Sequence, residues 1–188
     1  MKLLYISSRR PNSSGKGDAL TAYHYLRLFA QFGWEVDLAY LDWPGDNLPL
    51  ELPEEFGGRV LRAPVSRFDA FRGPALKTIL AGLPAQAALT RRALSKIART
   101  YSSADYDLVY FHYLRAACHV DLWETNPSPS IAGLQLAHSA NYEKLSESSK
   151  NPLVALGWRI EARRCLGEER RMNTVHDATV YTLSLIHI

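Results

Sequence analysis

The residues best placed to do chemistry are a short polar loop and two histidines far from it in sequence. The loop runs Ser8-Arg9-Arg10-Pro11-Asn12-Ser13-Ser14-Gly15-Lys16-Gly17-Asp18. It follows an apolar run, Leu3-Leu4-Tyr5-Ile6, and precedes a helical pattern that starts at Ala19. A helix N-terminus presents unpaired N–H groups and a partial positive charge, so this placement suits a phosphate or sugar phosphate. Gly15 and Gly17 permit positive φ or close approach of a ligand to backbone. Asp18 reads as the N-cap, its carboxylate accepting from first-turn N–H groups. Two named phosphate motifs fail here: Gly17 stands where a Walker loop needs Ser or Thr, and Leu20 where a dinucleotide fingerprint needs its third Gly. Gly-containing turns between strand and helix also arise for structural reasons, so the loop reads equally as a turn or a ligand site.

His112 and His138 each fall just past a predicted strand. One reading has each ring hydrogen-bonding the nearby backbone. The other places both on the edge that carries the Gly loop, which is where open α/β sheets build their sites. No His/Cys/Asp/Glu cluster has metal-ligand spacing, so no metal is expected. No Gly-x-Ser-x-Gly elbow is present for a serine hydrolase.

The elements that must position these groups follow from periodicity. Strands are expected at residues 2–7, 35–40, 59–64, 107–111, 130–137 and 177–184. Helices are expected at 19–32, at 67–80 with an interruption at Gly73-Pro74, and at 85–101. Further helices are expected at 113–123 and at 141–173, the last broken at Asn151-Pro152. Strands alternating with helices predict a doubly wound, mainly parallel α/β sheet of Rossmann-like type. The 85–101 helix places Leu89, Ala93, Leu94 and Ile97 on one face. Arg91, Arg92, Lys96 and Arg99 lie mostly elsewhere, as a solvated face or as an attraction for an anionic membrane surface. Phe68, Phe71, Leu76, Ile79 and Leu80 are core or interface candidates.

The chain has 188 residues, 47% hydrophobic and 22% charged, which is ordinary for one globular domain. A net charge of +3 is too small to argue for nucleic acid. Cys118 and Cys165 read as free thiols of a reducing compartment. Leu3–Ile6 is too short for a signal peptide core or a membrane span, so the expected location is cytoplasmic.

Taken in order, these segments resemble the N-terminal domain of the GT-B glycosyltransferases, of the family 4-like, retaining group, nearest the sugar transferases of bacterial exopolysaccharide loci. Leu3-Leu4-Tyr5-Ile6 with Arg10-Pro11 and Gly15-Lys16-Gly17-Asp18 resembles the family's first strand and Gly loop. Tyr25–Ala30 followed by Gly33-Trp34-Glu35-Val36, and Asp105-Tyr106-Asp107-Leu108-Val109-Tyr110, are similar to its next strands. Leu136-Ala137-His138-Ser139-Ala140-Asn141-Tyr142, Ile160–Arg164 and Asp177–Val180 resemble its closing helix and strand.

The resemblance implies a sugar transfer from a nucleotide-sugar donor to a saccharide or lipid-linked acceptor, with no cofactor. The protein would work at the cytoplasmic face, in peripheral contact with the membrane. It implies Gly15, Lys16, Gly17 and Asp18 near the donor phosphate and sugar, and His138 at the reaction centre. Arg10, His112, Arg115 and Ser139 would be acceptor-side residues. Ser139 departs from the family, which often has Asp there. Residues 1–184 would be the acceptor-side domain, inactive without a donor-binding domain, and 185–188 a non-native tail, because 183–188 resembles a translated adapter. The rival expectation is a flavodoxin-like or other phosphate-ligand module, to which Ser13-Ser14-Gly15 lends some support.

Overall fold

The computed structural model describes residues 1–66, 80, 82–123 and 128–181. The helix expected over 67–80, save for the exposed Leu80, and the tail at 185–188 lie outside those residues. The strands are β1 (Lys2–Ser7), β2 (Glu35–Asp42), β3 (Val60–Pro64), β4 (Leu108–His112), β5 (Ser130–Leu134) and β6 (Ala178–Tyr181). The helices are α1 (Asp18–Gln31), α2 (Ala85–Thr100), α3 (Leu114–Ala117), α4 (His138–Ser148) and α5 (Pro152–Val175).

All strand pairs are parallel, in the order β3-β2-β1-β4-β5-β6. This is the doubly wound, Rossmann-like α/β sheet that the alternation of strands and helices predicts. The chain starts at the centre, runs outward through β2 and β3, then crosses back to β4. The switch between the two directions lies between β1 and β4.

Side chains on adjacent positions of a strand face opposite ways, and the two faces bury different chemistry. Leu4, Ile6, Leu41, Val109, Phe111 and Leu134 pack under α2, α3 and α5. Leu3, Tyr5, Leu38, Tyr40 and Tyr110 pack under α1, whose Ala22, Leu26 and Phe29 complete an aromatic-rich layer. Tyr5 and Tyr110 stack across β1 and β4, with ring centroids 5.2 Å apart. The Tyr110 ring reaches over β5 at Gly133, where a Cβ would come within 2.0 Å of the Tyr110 oxygen.

Aspartates close the N-terminal edge of the sheet. Asp107 accepts from the Lys2 N–H at 2.7 Å, and Asp177 from the Ser130 N–H at 2.7 Å. Each carboxylate thus satisfies the first, unpaired donor of the neighbouring parallel strand. Asp37 does more. It is buried in β2 and accepts from the Arg59 backbone, from both Nε and Nη2 of Arg59, and from the Tyr106 hydroxyl. Burial pushes its carboxyl up, but the Arg59 and Tyr106 hydrogen bonds outweigh this and hold it below the usual range.

Helix α5 caps two of its neighbours. Neither α2, which begins after Pro84, nor α4, which begins after Ala137, has a side-chain cap of its own. Glu161 accepts from the Ala85 N–H at 2.5 Å, and Glu169 from the Ser139 N–H at 3.1 Å. Carboxylates at helix N-termini satisfy orphan donors and complement the dipole.

Asp37→Asn should destabilise the fold by about 1–3 kcal/mol, because it removes the buried charge that accepts four hydrogen bonds. The wild-type stabilisation should be complete above the ordinary carboxylate range and fade as pH falls through it, since the folded pKa is depressed. Urea unfolding of both proteins at neutral and acid pH checks this: the gap between them should shrink on acidification.

Candidate functional site

The C-terminal ends of β1, β4 and β5 are adjacent in the sheet, and the polar loop, His112 and the start of α4 collect there. The two loop glycines serve different needs. Gly17 has φ 55 and ψ −123, a conformation L side chains avoid, and a Cβ there would meet nothing within 4 Å. Gly15 is crowded instead, since a Cβ would lie 3.0 Å from the Ala19 Cβ and 3.2 Å from the Asn12 carbonyl oxygen. Lys16 is exposed between them.

Asp18 is not the N-cap that the sequence suggests. Gly17 occupies the cap, and Asp18 is the first helical residue, with no capping hydrogen bond. Its Oδ2 accepts from Arg9 Nε and Arg115 Nη2, each at 3.0 Å. Charge-assisted bonds to guanidinium groups are stronger than a neutral N–H cap, which explains the swap. Both cations also lie over the Trp43 ring, Arg9 at 6.0 Å and Arg115 at 5.6 Å from its centroid. The Trp43 indole N–H donates to the Ser8 carbonyl at 2.9 Å, fixing the ring to the end of β1.

His112 is the last residue of β4, which runs one position beyond the expected strand end at Phe111. His138 is not at a strand end: β5 stops at Leu134, and His138 is the first residue of α4. The chain still returns it to the same edge. Between the two histidines stands Tyr113, with φ 72 and ψ 156, the one non-glycine residue at positive φ among the described residues. Such a conformation costs about 1–3 kcal/mol and persists only where surroundings impose it. Here the Tyr113 N–H donates to the Gly133 carbonyl, and its own carbonyl accepts from Ala116 and Ala117. The helix expected over 113–123 therefore starts only at Leu114, and it is split into α3 and a 3-10 turn at Val120–Trp123. The Tyr113 ring meets His112 at 4.7 Å and His138 at 5.7 Å, both edge-on.

Both imidazoles are held neutral. Burial, then the charge of Arg115, lowers His112 to about 3, although Gln135 favours its charged form. The same two causes lower His138 to about 4, with Asp18 opposing. Neither ring nitrogen of His112 makes a well-formed hydrogen bond, although the Gln135 side chain stands beside it, and Nε2 of His138 has no partner. Buried polar atoms are nearly always hydrogen-bonded, so each exception asks for an explanation. Ten buried side-chain atoms lack a partner among the described residues. Eight of them belong to Tyr5, Ser8, Arg10, His112, Arg115, Gln135 and His138, all at or just below this edge. The hollow that Arg115 and His138 themselves line, with Leu114 and Tyr142, holds only about 10 Å3, and a separate one of about 300 Å3 is walled by Arg9, Trp43, Pro44, Val65 and Leu89. Larger hollows lie away from it, about 350 Å3 by Trp123 and Asp177, and about 430 Å3 between α4 and α5.

Other predicted site residues are already engaged. Arg10 pairs with Asp42 and donates to the Leu48 carbonyl. Ser139 donates its hydroxyl to Glu169 at 2.5 Å, where it helps to cap α4. The Ser13 N–H and hydroxyl both donate to Glu51, so a carboxylate stands where a flavin phosphate would need donors. Of the outlying histidines, His119 contacts the Ala87 carbonyl and Arg91, and His176 contacts Ser130 and the Ala117 carbonyl. Cys118 and Cys165 are free thiols, both buried. No group of three or more potential metal ligands occurs among the described residues. Trp43, Tyr113 and Gln135 were not expected at the site. Trp43 sits in a turn-rich loop and Tyr113 in a helical pattern, so neither spacing marks them.

No family model and no curated protein matches this chain. Among solved structures it is similar to sucrose-phosphate synthase from Thermosynechococcus elongatus, with a TM-score of 0.57 and 14% identity. That match covers 95% of this chain and 42% of the synthase, so the chain spans less than half the length of the protein it matches. It is also similar, more loosely, to Arabidopsis thaliana UGT89C1 complexed with UDP. There the TM-score is 0.44 and the identity 16%, over 96% of this chain and 45% of that one. At these identities the likeness is one of fold.

Gly17→Ala should cost about 1–3 kcal/mol through backbone strain alone, because its Cβ meets no neighbour. Thermal melting of the variant checks this. A second expectation concerns acid. The folded pKa values of His112 and His138 lie below the ordinary imidazole value of about 6.5, so the unfolded chain takes up protons first as pH falls. The stabilisation is complete above that value and is lost as pH drops toward about 4. Melting temperature should fall over that window, and His138→Gln should make the fall shallower.

Proposed function

We propose that this chain is the acceptor-side domain of a glycosyltransferase of GT-B type, in the retaining, family 4-like group. The enzyme would move a sugar from a nucleotide-sugar donor to a polysaccharide or glycolipid acceptor at the cytoplasmic face of a membrane. The observation that carries this reading is the gathering of orphaned buried polar atoms at the C-terminal ends of β1, β4 and β5. A neutral imidazole donates from one nitrogen and accepts at the other, which matches a sugar hydroxyl, itself both donor and acceptor. His112 and His138 are both kept in that form. Arg9 and Arg115 supply positive charge beside them, and Trp43 supplies an aromatic wall.

The fold supports the reading in a coarser way. The sheet matches part of an enzyme named as a sucrose-phosphate synthase. Gly17, open above its Cα, leaves room for a diphosphate to approach the backbone at the head of α1. In this reading His138 donates to a sugar hydroxyl or to charge that develops near the anomeric carbon, and Arg115 steadies the anionic side of the transition state. Turnover would require a donor-binding domain opposite this edge.

His138→Ala, made in an enzyme that pairs this domain with a donor-binding domain, should lower kcat by roughly 10²-fold. The melting temperature should hardly move, because His138 Nε2 has no partner to lose. Steady-state kinetics and melting on one preparation separate the outcomes. An unchanged kcat with a lowered melting temperature would make His138 structural. Proton NMR of the product tests stereochemistry, and an inverted anomer would rule out the retaining mechanism. Tight binding of FMN by the chain would favour the flavodoxin-like module instead.

A further inference from the structure

Ser130, His176 and Asp177 meet at the N-terminal edge of the sheet, the end opposite the candidate site. Three places in the chain bring them there. Ser130 opens β5, His176 follows the last residue of α5, and Asp177 precedes β6. The pairing of β5 with β6 fixes the serine on both sides of its hydroxyl. Its N–H donates to Asp177 Oδ2 at 2.7 Å, and its carbonyl accepts from the Asp177 N–H at 3.0 Å.

His176 is held as firmly. Its N–H donates to the Met172 carbonyl at 3.2 Å, which closes α5. Its ring packs edge-on against Phe111, with centroids 5.2 Å apart, and Phe111 meets Trp123 in the same way at 5.3 Å. Burial is the largest influence on the imidazole and holds its pKa below the ordinary value, so the ring is neutral at neutral pH. Nε2 lies 3.2 Å from the Ala117 carbonyl, and Nδ1 lies 3.0 Å from Ser130 Oγ. A carbonyl can only accept, so Nε2 carries the proton and Nδ1 is left as an acceptor. Asp177 Oδ2 stands farther from Ser130 Oγ, at 3.4 Å, and already accepts from the Ser130 N–H. The Ser130 hydroxyl therefore donates to Nδ1.

This is a nucleophile, a base, and a group that fixes the tautomer of the base, in one hydrogen-bonded series. Such a series is recognised by its geometry and needs no Gly-x-Ser-x-Gly elbow. The charge of Asp177 favours the imidazolium that forms when His176 takes a proton, and so does its place at the C-terminal end of a 24-residue helix.

A structural hydrogen bond alone would account for Ser130 and His176, but not for what adjoins them. Ser130 walls the hollow of about 350 Å3, which is large enough for a small molecule. Val109, Phe111, Val120 and Trp123 make its walls largely apolar, and Arg171 lines it as well. Trp123 is 7% exposed, and its indole Nε1 has no partner among the described residues. An orphaned N–H in the wall of a hollow that holds a nucleophile can receive a developing oxyanion.

We propose that Ser130 is the nucleophile of a second site, which cleaves small esters that carry an apolar or aryl acyl group. Ser130 Oγ attacks the acyl carbon as its proton passes to His176 Nδ1. The bond from that carbon to the leaving oxygen breaks, and the leaving oxygen takes the proton from Nδ1 and departs as an alcohol. Water then attacks the acyl-Ser130 carbonyl carbon and gives a proton to His176 Nδ1. That proton returns to Ser130 Oγ as the carboxylic acid leaves. One ester and one water give one acid and one alcohol, and nothing is oxidised or reduced. Trp123 Nε1–H and the Arg171 guanidinium supply positive charge to the oxyanion. None of these groups takes part in the transferase reading.

The test treats the folded chain with a fluorophosphonate, which phosphonylates activated serines with loss of fluoride, and maps the labelled peptide by mass spectrometry. Hydrolysis of p-nitrophenyl butyrate is followed on the same preparation. No sugar donor is present, so the outcome leaves the transferase reading untouched. The expected result is about one equivalent of label on Ser130 and a burst of p-nitrophenolate of similar size. Heat-unfolded chain should take no label, and Ser130→Ala should lose both label and burst. His176→Gln keeps hydrogen-bonding groups but cannot serve as the base, so it should slow labelling by roughly 10²-fold with melting little changed. Trp123→Phe removes only the N–H and should slow ester hydrolysis by roughly 10²-fold. No label on folded wild-type chain would overturn the proposal, as would label on another serine. Labelling that His176→Gln leaves unchanged would overturn it too. The mapped wild-type label decides the matter even where a variant fails to fold.

Discussion

One carboxylate oxygen of Asp18 joins three separate parts of the chain. Arg9 approaches it from the loop after β1, and Arg115 from α3, 97 positions along the sequence. Asp18 itself opens α1. The loop, the first helix and the start of α3 therefore cannot shift independently. Trp43 lies against both guanidinium groups and is tied to Ser8, so the end of β2 is drawn into the same unit. Arg115 is nearly buried and would be costly there without an anion. Its charge in turn contributes to keeping His112 and His138 neutral. Burial and that charge together set the electrostatic character of the edge, and the carboxylate fixes where the charge sits.

Much of the scaffold is legible in the sequence because strands buried on both faces are continuous apolar runs. Leu3–Ile6 and Leu108–Phe111 show this directly. The break at Asn151-Pro152 is equally plain, since Asn151 caps α5 with its side chain. What could not be read depends on distant partners. Asp18 has the composition of a cap, and only Arg115 in space explains why it is not one. His138 reads as a strand end because Gln135-Leu136-Ala137 continues an apolar pattern, yet the strand stops at Leu134. Tyr113 sits in a helical pattern that positive φ interrupts, and no local signal marks a tyrosine for that conformation.

Helix α5 illustrates the same limit from the other side. Its sequence is rich in charged residues, yet Glu161 and Glu169 are turned inward as caps for α2 and α4. Those helices begin after Pro84 and Ala137, which offer no side-chain acceptor. The capping function has moved from the helix that needs it to a neighbour, and with it the dependence of His138 on α5. Ser139, chosen from sequence as an acceptor contact, is the hinge of that arrangement.

The close approach of Tyr110 to Gly133 has a consequence for how this sheet can diverge. The Tyr110 ring fills the space that a side chain at 133 would need, and several of its atoms crowd that point. Removing the hydroxyl alone does not clear it, because ring carbons remain within 3.0 Å. Positions 110 and 133 are therefore one choice rather than two. A related chain with an aromatic residue at the first should keep glycine at the second, and a side chain at the second should accompany a small residue at the first. Tyr110 also stacks on Tyr5, so this pairwise covariation should extend across three adjacent strands.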